Sequence, residues 1–547
     1  MRRVAPRAVS AAGRPALRSA PLTSAPTTAA WLRAALVPVA LLAAVWALYG
    51  DALGYAFMYD DGIDLARGEQ RSVLSLLTSG EGAFYYRPLP FIIWKAMHAA
   101  LGRYDPFWFH LLPLLLHALN AWLLYRMART LGLGAVAALV AAGLFVTFPF
   151  HYQVVPWAGA LFHPLVTALM LGALLTYREA RCRRSVGWLG VSLACGLLAL
   201  FTQEYAVTLG VLVAGLELWL WRQRAVAHPR PYALLYLGLA GAFALWWVAV
   251  PKWPRAFAVD GVSLVRNGLM FLQALLWPLA IAWRWAPPAL LVRPEAAVAG
   301  AAALALPGAV ALYARRRALG WLALALGWVA VTALPVWATL PWQYVEDGAR
   351  LYYLPSVGIA LAWGGLAALV PRHGHARLLG RALVVALCLW AVAQSVAFLA
   401  PRRAMYAEGT ALLRAAVARA SAAPVGGTVL FVNLPAWEAP DWPAFPLGNT
   451  GVTFVPEYVL LGQALHVNGA GPAPVASLAT TDLPGGWPAH YGPHGAWASL
   501  DEIEAAARGA TAAYVTRFGP DRLALEPLAL APLLGAEPRA GPAVTLP

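Results

Sequence analysis

The stretch FMYDDGIDL, residues 57–65, sets Asp60, Asp61 and Asp64 just beyond an apolar run that begins near Trp31. Acids at the edge of such a run are candidates for a catalytic base at a membrane surface, because an ionised carboxylate can take a proton from a hydroxyl within hydrogen-bond reach. The same residues also fit a solvated turn, Asp-Gly being a common turn signal. Their Asp-Asp-x-x-Asp spacing also matches one that holds a magnesium diphosphate. The cations able to face an anionic group are Arg87, Lys95, Lys252 and Arg350, and Lys95 and Lys252 are the only lysines in the chain. Glu204 and the histidines at 110, 117, 151 and 163 complete the set of polar groups next to apolar runs. Cys182, Cys195 and Cys388 have no metal-ligand spacing and read as small apolar fillers. No phosphate-cradling loop of the P-loop or dinucleotide type is present.

The elements that must position these residues can be inferred from composition. The chain has 547 residues, 61% apolar and 12% charged, with a mean hydropathy of +0.63. A soluble domain carries roughly 25% charged residues. Half that charge, spread over many apolar runs, predicts a polytopic helical membrane protein. The net charge of +15 comes largely from arginines in short loops, and no basic stripe with interleaved aromatics appears, which excludes nucleic-acid binding.

Eleven spans are expected, near 31–50, 105–126, 134–150, 157–177, 185–202, 205–221, 231–250, 291–313, 318–339, 352–370 and 378–399. The basic loops at 126–130, 178–184, 222–230, 314–317 and 371–381 all fall on one side if the N-terminus is cytoplasmic. Nearly every acid of the membrane region then maps to the outer face, as do both lysines. The apolar segment 268–285 would break this pattern as a span, so it reads as an interfacial or re-entrant helix. Residues 1–30 read as a disordered basic tail before an uncleaved signal anchor. After about residue 400 the long apolar runs stop, and 401–547 is predicted as a small extracytoplasmic α/β domain. Its strands are expected at 427–435 and 511–518, and a helix at 499–510 is capped by Ser499 with Glu502.

The first external loop, 51–104, contains two amphipathic pieces, 64–80 and 88–102. Each is predicted as a helix lying on the membrane, the second with Pro88 at its start and Gly102 at its stop. An acid pair after the first span, followed by Tyr86-Arg87-Pro88-Leu89, Gly102, Asp105-Pro106, His110, His117, Ala118 and Asn120, resembles the GT-C superfamily of polyprenyl-phosphate-sugar glycosyltransferases. The likeness is strongest to the transmembrane O-mannosyltransferases with TPR tails and their bacterial relatives, among them the aminoarabinose transferase-like enzymes. It continues through FPFHYQVVPWAGA (148–160), TQEYAVTLG (202–210) and ARLYYLPSVG (349–358). Departures are Tyr152 where the family has Pro after His, Gln203 where it has Lys before Glu, Ala349 where it has Glu before Arg, and the absence of TPR repeats.

The resemblance implies an inverting enzyme of the bacterial plasma membrane that moves a sugar from a polyprenyl-phosphate donor to a hydroxyl on an acceptor protein, lipid or glycan outside the cell. It places the base at Asp60 or Asp61, with Asp60 preferred. The lipid phosphate that leaves needs cations, and Arg350, Arg87 and Lys95 are the candidates. Glu204, His151 and Tyr86 are candidates for contacts to sugar or acceptor, Glu204 being alternatively a partner for Arg350. No metal and no cofactor besides the lipid-linked donor substrate is expected. The competing class is a transporter or flippase of a lipid-linked sugar. Against it stand the lack of an internal repeat and the crowding of acids on one face instead of the midplane.

Overall fold

The structure, a computed structural model, describes residues 28–254, 258–280, 283, 293–315, 318–370, 374–424, 426–440, 444–471, 474–483, 487–519, 523–528 and 544–545. Of the expected tail, 1–27 lies outside the described residues, and 28–30 open the first helix. The helical part runs α1 (Thr28–Tyr49), α2 (Asp61–Gln70), α3 (Val73–Thr78), α4 (Pro88–Leu101), α5 (Pro106–Thr130), α6 (Ala135–Val146), α7 (Phe162–Arg183), α8 (Val186–Leu200) and α9 (Leu209–Arg222). It continues with α10 (Ala233–Ala249), α11 (Gly261–Leu275), α12 (Pro294–Arg315), α13 (Leu319–Thr339), α14 (Tyr353–Leu366) and α15 (His375–Ser421). Among the described residues eight helices are long and apolar enough to cross a membrane by length and composition, and α6, α8 and α10 are shorter apolar helices. Together they coincide with the eleven predicted spans. Their outer faces carry bare aliphatic side chains such as Val186, Leu245 and Leu304, each more than three-quarters exposed. Apolar surface of that extent needs a non-aqueous neighbour. Charge that enters the bundle is matched: Glu217 of α9 is buried and accepts from Arg181 at 2.7 Å, the Tyr177 hydroxyl at 2.7 Å and the Arg230 amide at 2.8 Å.

Of the segment 268–285, residues 277–280 form a separate helical turn, and 281, 282, 284 and 285 lie outside the described residues. Residues 268–275 complete α11, an amphipathic helix that starts earlier, at an Asp260 side chain accepting from the Ser263 amide. Its inner face holds Asn267, Met270, Phe271 and Gln273, while Val262 and Val265 face outward. Gln273 exchanges two hydrogen bonds of 2.9 Å with the backbone of Leu447, so the helix is fastened to the C-terminal region. The piece expected as one helix over 64–80 is two. Arg71 is extended, Ser72 caps α3 by accepting from the Ser75 amide, and the Arg71 guanidinium donates to the carbonyls of Ser75 and Ser79. Helix α4 begins at Pro88 and stops at Gly102, whose φ of 69° is the left-handed conformation that favours glycine.

No break separates the last span from the C-terminal region, because α15 passes Pro401 and continues to Ser421. The sheet region then contains β1 (Val429–Val432), β2 (Pro435–Glu438), β3 (Val452–Thr453), helix α16 (Leu461–Val467), β4 (Val475–Ala479), β5 (Tyr491–Pro493), β6 (Ala496–Trp497), helix α17 (Leu500–Gly509), β7 (Ala512–Phe518), β8 (Leu523–Pro527) and β9 (Val544–Thr545). One sheet has the order β6-β4-β1-β7-β8-β9, parallel from β6 to β7 and antiparallel beyond, and a second has the order β3-β2-β5. The strands expected at 427–435 and 511–518 are β1 and β7, and α17 carries the Ser499–Glu502 capping box. This α/β region rests on the loop 51–104. Gly62 of α2 meets the backbone of Ala464 in α16 so closely that an added Cβ would lie 2.9 Å from it.

Candidate active site

The acid pair is held by the C-terminal region before the chain turns into α2. The Ala56 amide donates to Thr410 Oγ1 at 3.0 Å, the Phe57 amide to Asn468 Oδ1 at 2.9 Å, and the Tyr59 amide to the Phe454 carbonyl at 3.2 Å. Asn468 returns its amide to the Phe57 carbonyl at 2.9 Å, closing a two-bond clamp. Tyr59 is then forced to φ 51°, a left-handed conformation uncommon for a residue with a side chain. Its ring stacks on Trp157 with centroids 4.5 Å apart.

The bend sends the two aspartates into different surroundings. Asp61 is fully buried, with Oδ2 accepting from the Met58 amide and Oδ1 from Trp157 Nε1, both at 3.0 Å. Burial pushes its carboxyl well above the usual carboxylate range. Asp60 occupies the N-cap position of α2, yet its side chain caps nothing; its carbonyl accepts from the Asp64 amide at 2.8 Å, while Oδ1 accepts from the Tyr458 hydroxyl. Asp60 is half-buried, and its Oδ2 has no protein partner among the described residues. Asp64 is buried against Arg67 at 3.0 Å and the Tyr85 hydroxyl at 2.8 Å. Burial raises its carboxyl to about 6, with the Arg67 charge opposing the rise. The three carboxylates do not converge on one point, and among the described residues no group of three His, Cys, Asp or Glu side chains gathers.

Arg350 comes to the same end of the bundle from the other half of the chain. It lies in a short 3₁₀ turn, Ala349–Tyr352, that leads into α14. Gln153 fixes that turn, its Oε1 accepting from the Arg350 amide at 3.1 Å and its Nε2 donating to the Asp347 carbonyl at 2.9 Å. The guanidinium sits over Trp157 at 5.3 Å and over Tyr344 at 5.2 Å. Trp157 therefore joins the two parts: its indole N–H holds Asp61 and its face carries the Arg350 cation. Among the described residues Arg350 has no carboxylate partner within ion-pair distance.

The other predicted residues take varied places. Arg87 precedes α4 and is paired with Glu204, Nη2 to Oε2 at 2.8 Å, with its guanidinium over Tyr85 at 4.6 Å. Glu204 thus pairs with Arg87 and not with Arg350. Lys95 donates to the Glu69 and Gly68 carbonyls at 3.0 and 3.4 Å, closing the C-terminal end of α2. The Tyr86 hydroxyl donates to the Leu77 carbonyl and accepts from Trp246 Nε1, so it ties α3 to α10 away from the acids. His151 is buried among His117, Phe145 and Tyr353, with Nε2 on Ser356 Oγ at 2.9 Å. Asp61 and Arg350 meet at Trp157, with Asp60 near enough for its charge to act on Arg350; Lys95, Tyr86 and His151 serve other contacts. A cleft of about 450 Å³ opens at the far end of α2, bordered by Glu69, His98, Arg103, Asp105 and His466.

Sequence reasoning missed Trp157, Gln153, Tyr344 and Tyr458. Trp157 and Gln153 stand inside the motif at 148–160, but nothing in residue type distinguished them from interfacial aromatics and polar loop residues. Tyr458 meets a partner 398 positions away, and no local pattern announces such a contact.

No family model matches the chain. Over 187 residues, 32% of the chain, it is 28% identical to the protein O-mannosyl-transferase Tmtc1 of Drosophila melanogaster. Over 185 residues, 30% of the chain, it is 32% identical to protein O-mannosyl-transferase Tmtc2 of the same organism. The matches span 22% and 19% of those relatives' own lengths. They agree with the superfamily that the motifs beginning in the loop 51–104 resemble. Among solved structures, ArnT from Cupriavidus metallidurans bound to undecaprenyl phosphate superimposes with a TM-score of 0.41 at 11% identity, covering 83% of this chain and 86% of that one. The arabinofuranosyltransferase AftD from Mycobacteria gives 0.38 at 14% identity, covering 82% of this chain and 32% of that one.

Proposed function

We propose that this chain is a membrane glycosyltransferase of the GT-C type, which moves a sugar from a polyprenyl-phosphate donor to an acceptor hydroxyl at the outer face of a bacterial plasma membrane. The observation that carries the reading is that Arg350, a guanidinium without a carboxylate partner among the described residues, shares Trp157 with Asp61 and lies near enough to the half-exposed Asp60 to feel its charge. Asp60 Oδ2 takes the acceptor proton as the acceptor oxygen forms its bond to the anomeric carbon. The bond from that carbon to the lipid phosphate oxygen breaks, and the oxygen keeps the electron pair. Attack opposite the leaving group inverts the anomeric centre. Arg350 stabilises the charge gathering on the phosphate, which is the ion most in need of a cation as the bond lengthens. Asp61, buried and held by two donors, supports the turn that aims Asp60. Arg87, already matched by Glu204, shapes the wall of the site.

Membranes bearing the full chain, incubated with a panel of polyprenyl-phosphate mannose, glucose and arabinose, are expected to consume one of these donors. Asp60→Asn keeps the shape and removes the proton acceptor, so consumption should fall by about 100-fold or more. Sugar translocation without transfer would replace this reading with a flippase. Full activity of Asp60→Asn beside an inactive Asp61→Asn would move the base to Asp61.

A further inference from the structure

Tyr458 belongs to a four-residue turn between β3 and α16, closed by the Val459 amide donating to the Pro456 carbonyl at 2.9 Å. The turn is anchored, with Val459 buried, while the Tyr458 side chain is exposed over 71% of its surface. An exposed phenol can satisfy itself with water, so an ordered bond to one carboxylate must come from how its backbone is delivered. Gly62 does the delivering. Having no side chain, it lets Val459 and Ala464 close onto α2, where an added Cβ would lie 3.1 Å from Val459 Cγ1 and 2.9 Å from the Ala464 backbone. The hydroxyl then reaches Asp60, two residues before that contact.

Given the reading of Asp60 as base, we propose that Tyr458 is a positioning residue of the active site, through which the C-terminal region holds one oxygen of the base and leaves the other to the acceptor. Its bond to Oδ1 stops the carboxylate from rotating about its own axis and presents Oδ2 outward. The charged and titratable groups that also face Asp60 are Asp64, Arg67 and Tyr85 from the first external loop and Arg350 from the turn before α14. None of these donates a hydrogen bond to Asp60. Tyr458 alone sets its orientation among the described residues. The C-terminal region is thereby part of the catalytic machinery and not a separate module.

The test is Tyr458→Phe in the full chain, which deletes one oxygen from an exposed ring and leaves the packing of Val459 and Ala464 intact. With the polyprenyl-phosphate sugar that wild-type membranes consume, kcat is expected to fall about tenfold with the donor KM unchanged, as for loss of orientation at a reacting group. A loss of fold would instead lower the amount of active protein and the thermal midpoint. Independently of any donor, carbodiimide labelling of purified protein read by mass spectrometry should modify Asp60 more in Tyr458→Phe than in wild type, with Asp105 labelling equal as a control. Equal labelling of Asp60 in both overturns the proposal whether or not a donor is found. So does a wild-type kcat in Tyr458→Phe beside an inactive Asp60→Asn. Failure of Asp60→Asn to lower activity counts instead against Asp60 as the base, and absence of sugar transfer by wild-type membranes counts against the glycosyltransfer reading itself.

Discussion

Two glycines of the same helix should respond to alanine with opposite signs. Gly62 and Gly68 both lie in α2. At position 62 a Cβ would stand 2.9 Å from Cα and N of Ala464 and 3.1 Å from Val459 Cγ1. The Ala464 atoms are helix backbone and have no rotamer to escape into, so either α16 moves or α2 does. Forcing atoms into a packed contact of this kind costs about 1–3 kcal/mol. The alanine returns at most about 1 kcal/mol of helix propensity, less in a first turn. The net effect of Gly62→Ala is therefore destabilising, by about 1–2 kcal/mol. At position 68 the nearest atom, Phe91 Cδ1, is 3.7 Å away, an ordinary contact. Gly68→Ala should gain about 0.5–1 kcal/mol from reduced freedom of the unfolded chain. Purified variants unfolded in one detergent at one heating rate, followed by tryptophan fluorescence, give the comparison. Limited proteolysis adds location, since Gly62→Ala should speed cleavage within 401–547 and Gly68→Ala should not. If both variants move the midpoint the same way, the close docking of α16 on α2 is not what the structure indicates.

Glu217→Ala strips the carboxylate from Arg181, whose side chain is only 10% exposed, and leaves its charge with the His228 carbonyl and the Tyr232 ring alone; it should cost about 2–3 kcal/mol, seen as a fall in folded protein recovered from membranes, and near-normal recovery would refute it. The Asp64 carboxyl, raised to about 6, binds its proton more tightly in the folded chain than in the unfolded one. Its contribution to stability is present below about 4, the ordinary carboxylate range, and is lost as pH rises through about 6. The thermal midpoint of wild type should accordingly fall more between pH 4.5 and 7 than that of Asp64→Asn; parallel curves would dismiss the effect.

The helices were legible because spanning a membrane requires long apolar runs, and each of those runs is a helix in the structure. Capping chemistry was legible for the same local reason at Pro88, Gly102 and Ser499. The break at Arg71–Ser72 was not, since it depends on a guanidinium reaching one carbonyl of the next helix and one just past its end. At the site, residue types pointed to Asp60, Asp61 and Arg350. Which aspartate is covered was decided by Trp157, and the orientation of the other by Tyr458, through contacts distant in sequence. Glu204 found Arg87 because 3₁₀ turn 204–208 and the start of α4 share an edge: the Leu89 amide donates to the Phe201 carbonyl at 3.0 Å. That pairing is invisible to spacing.

Helix α15, with 47 residues, extends about 70 Å, more than twice the ~30 Å of hydrocarbon it has to cross. Its protruding half acts as a stiff mast. Just past Pro401, Arg403 grips Asp51 and Arg402 grips the Thr450 carbonyl at 2.9 Å, so the mast is lashed on two sides. Because this rod is continuous and pinned at both points, the last apolar segment and the sheet region beyond it form one stiff piece, so a displacement of either end is felt at the other.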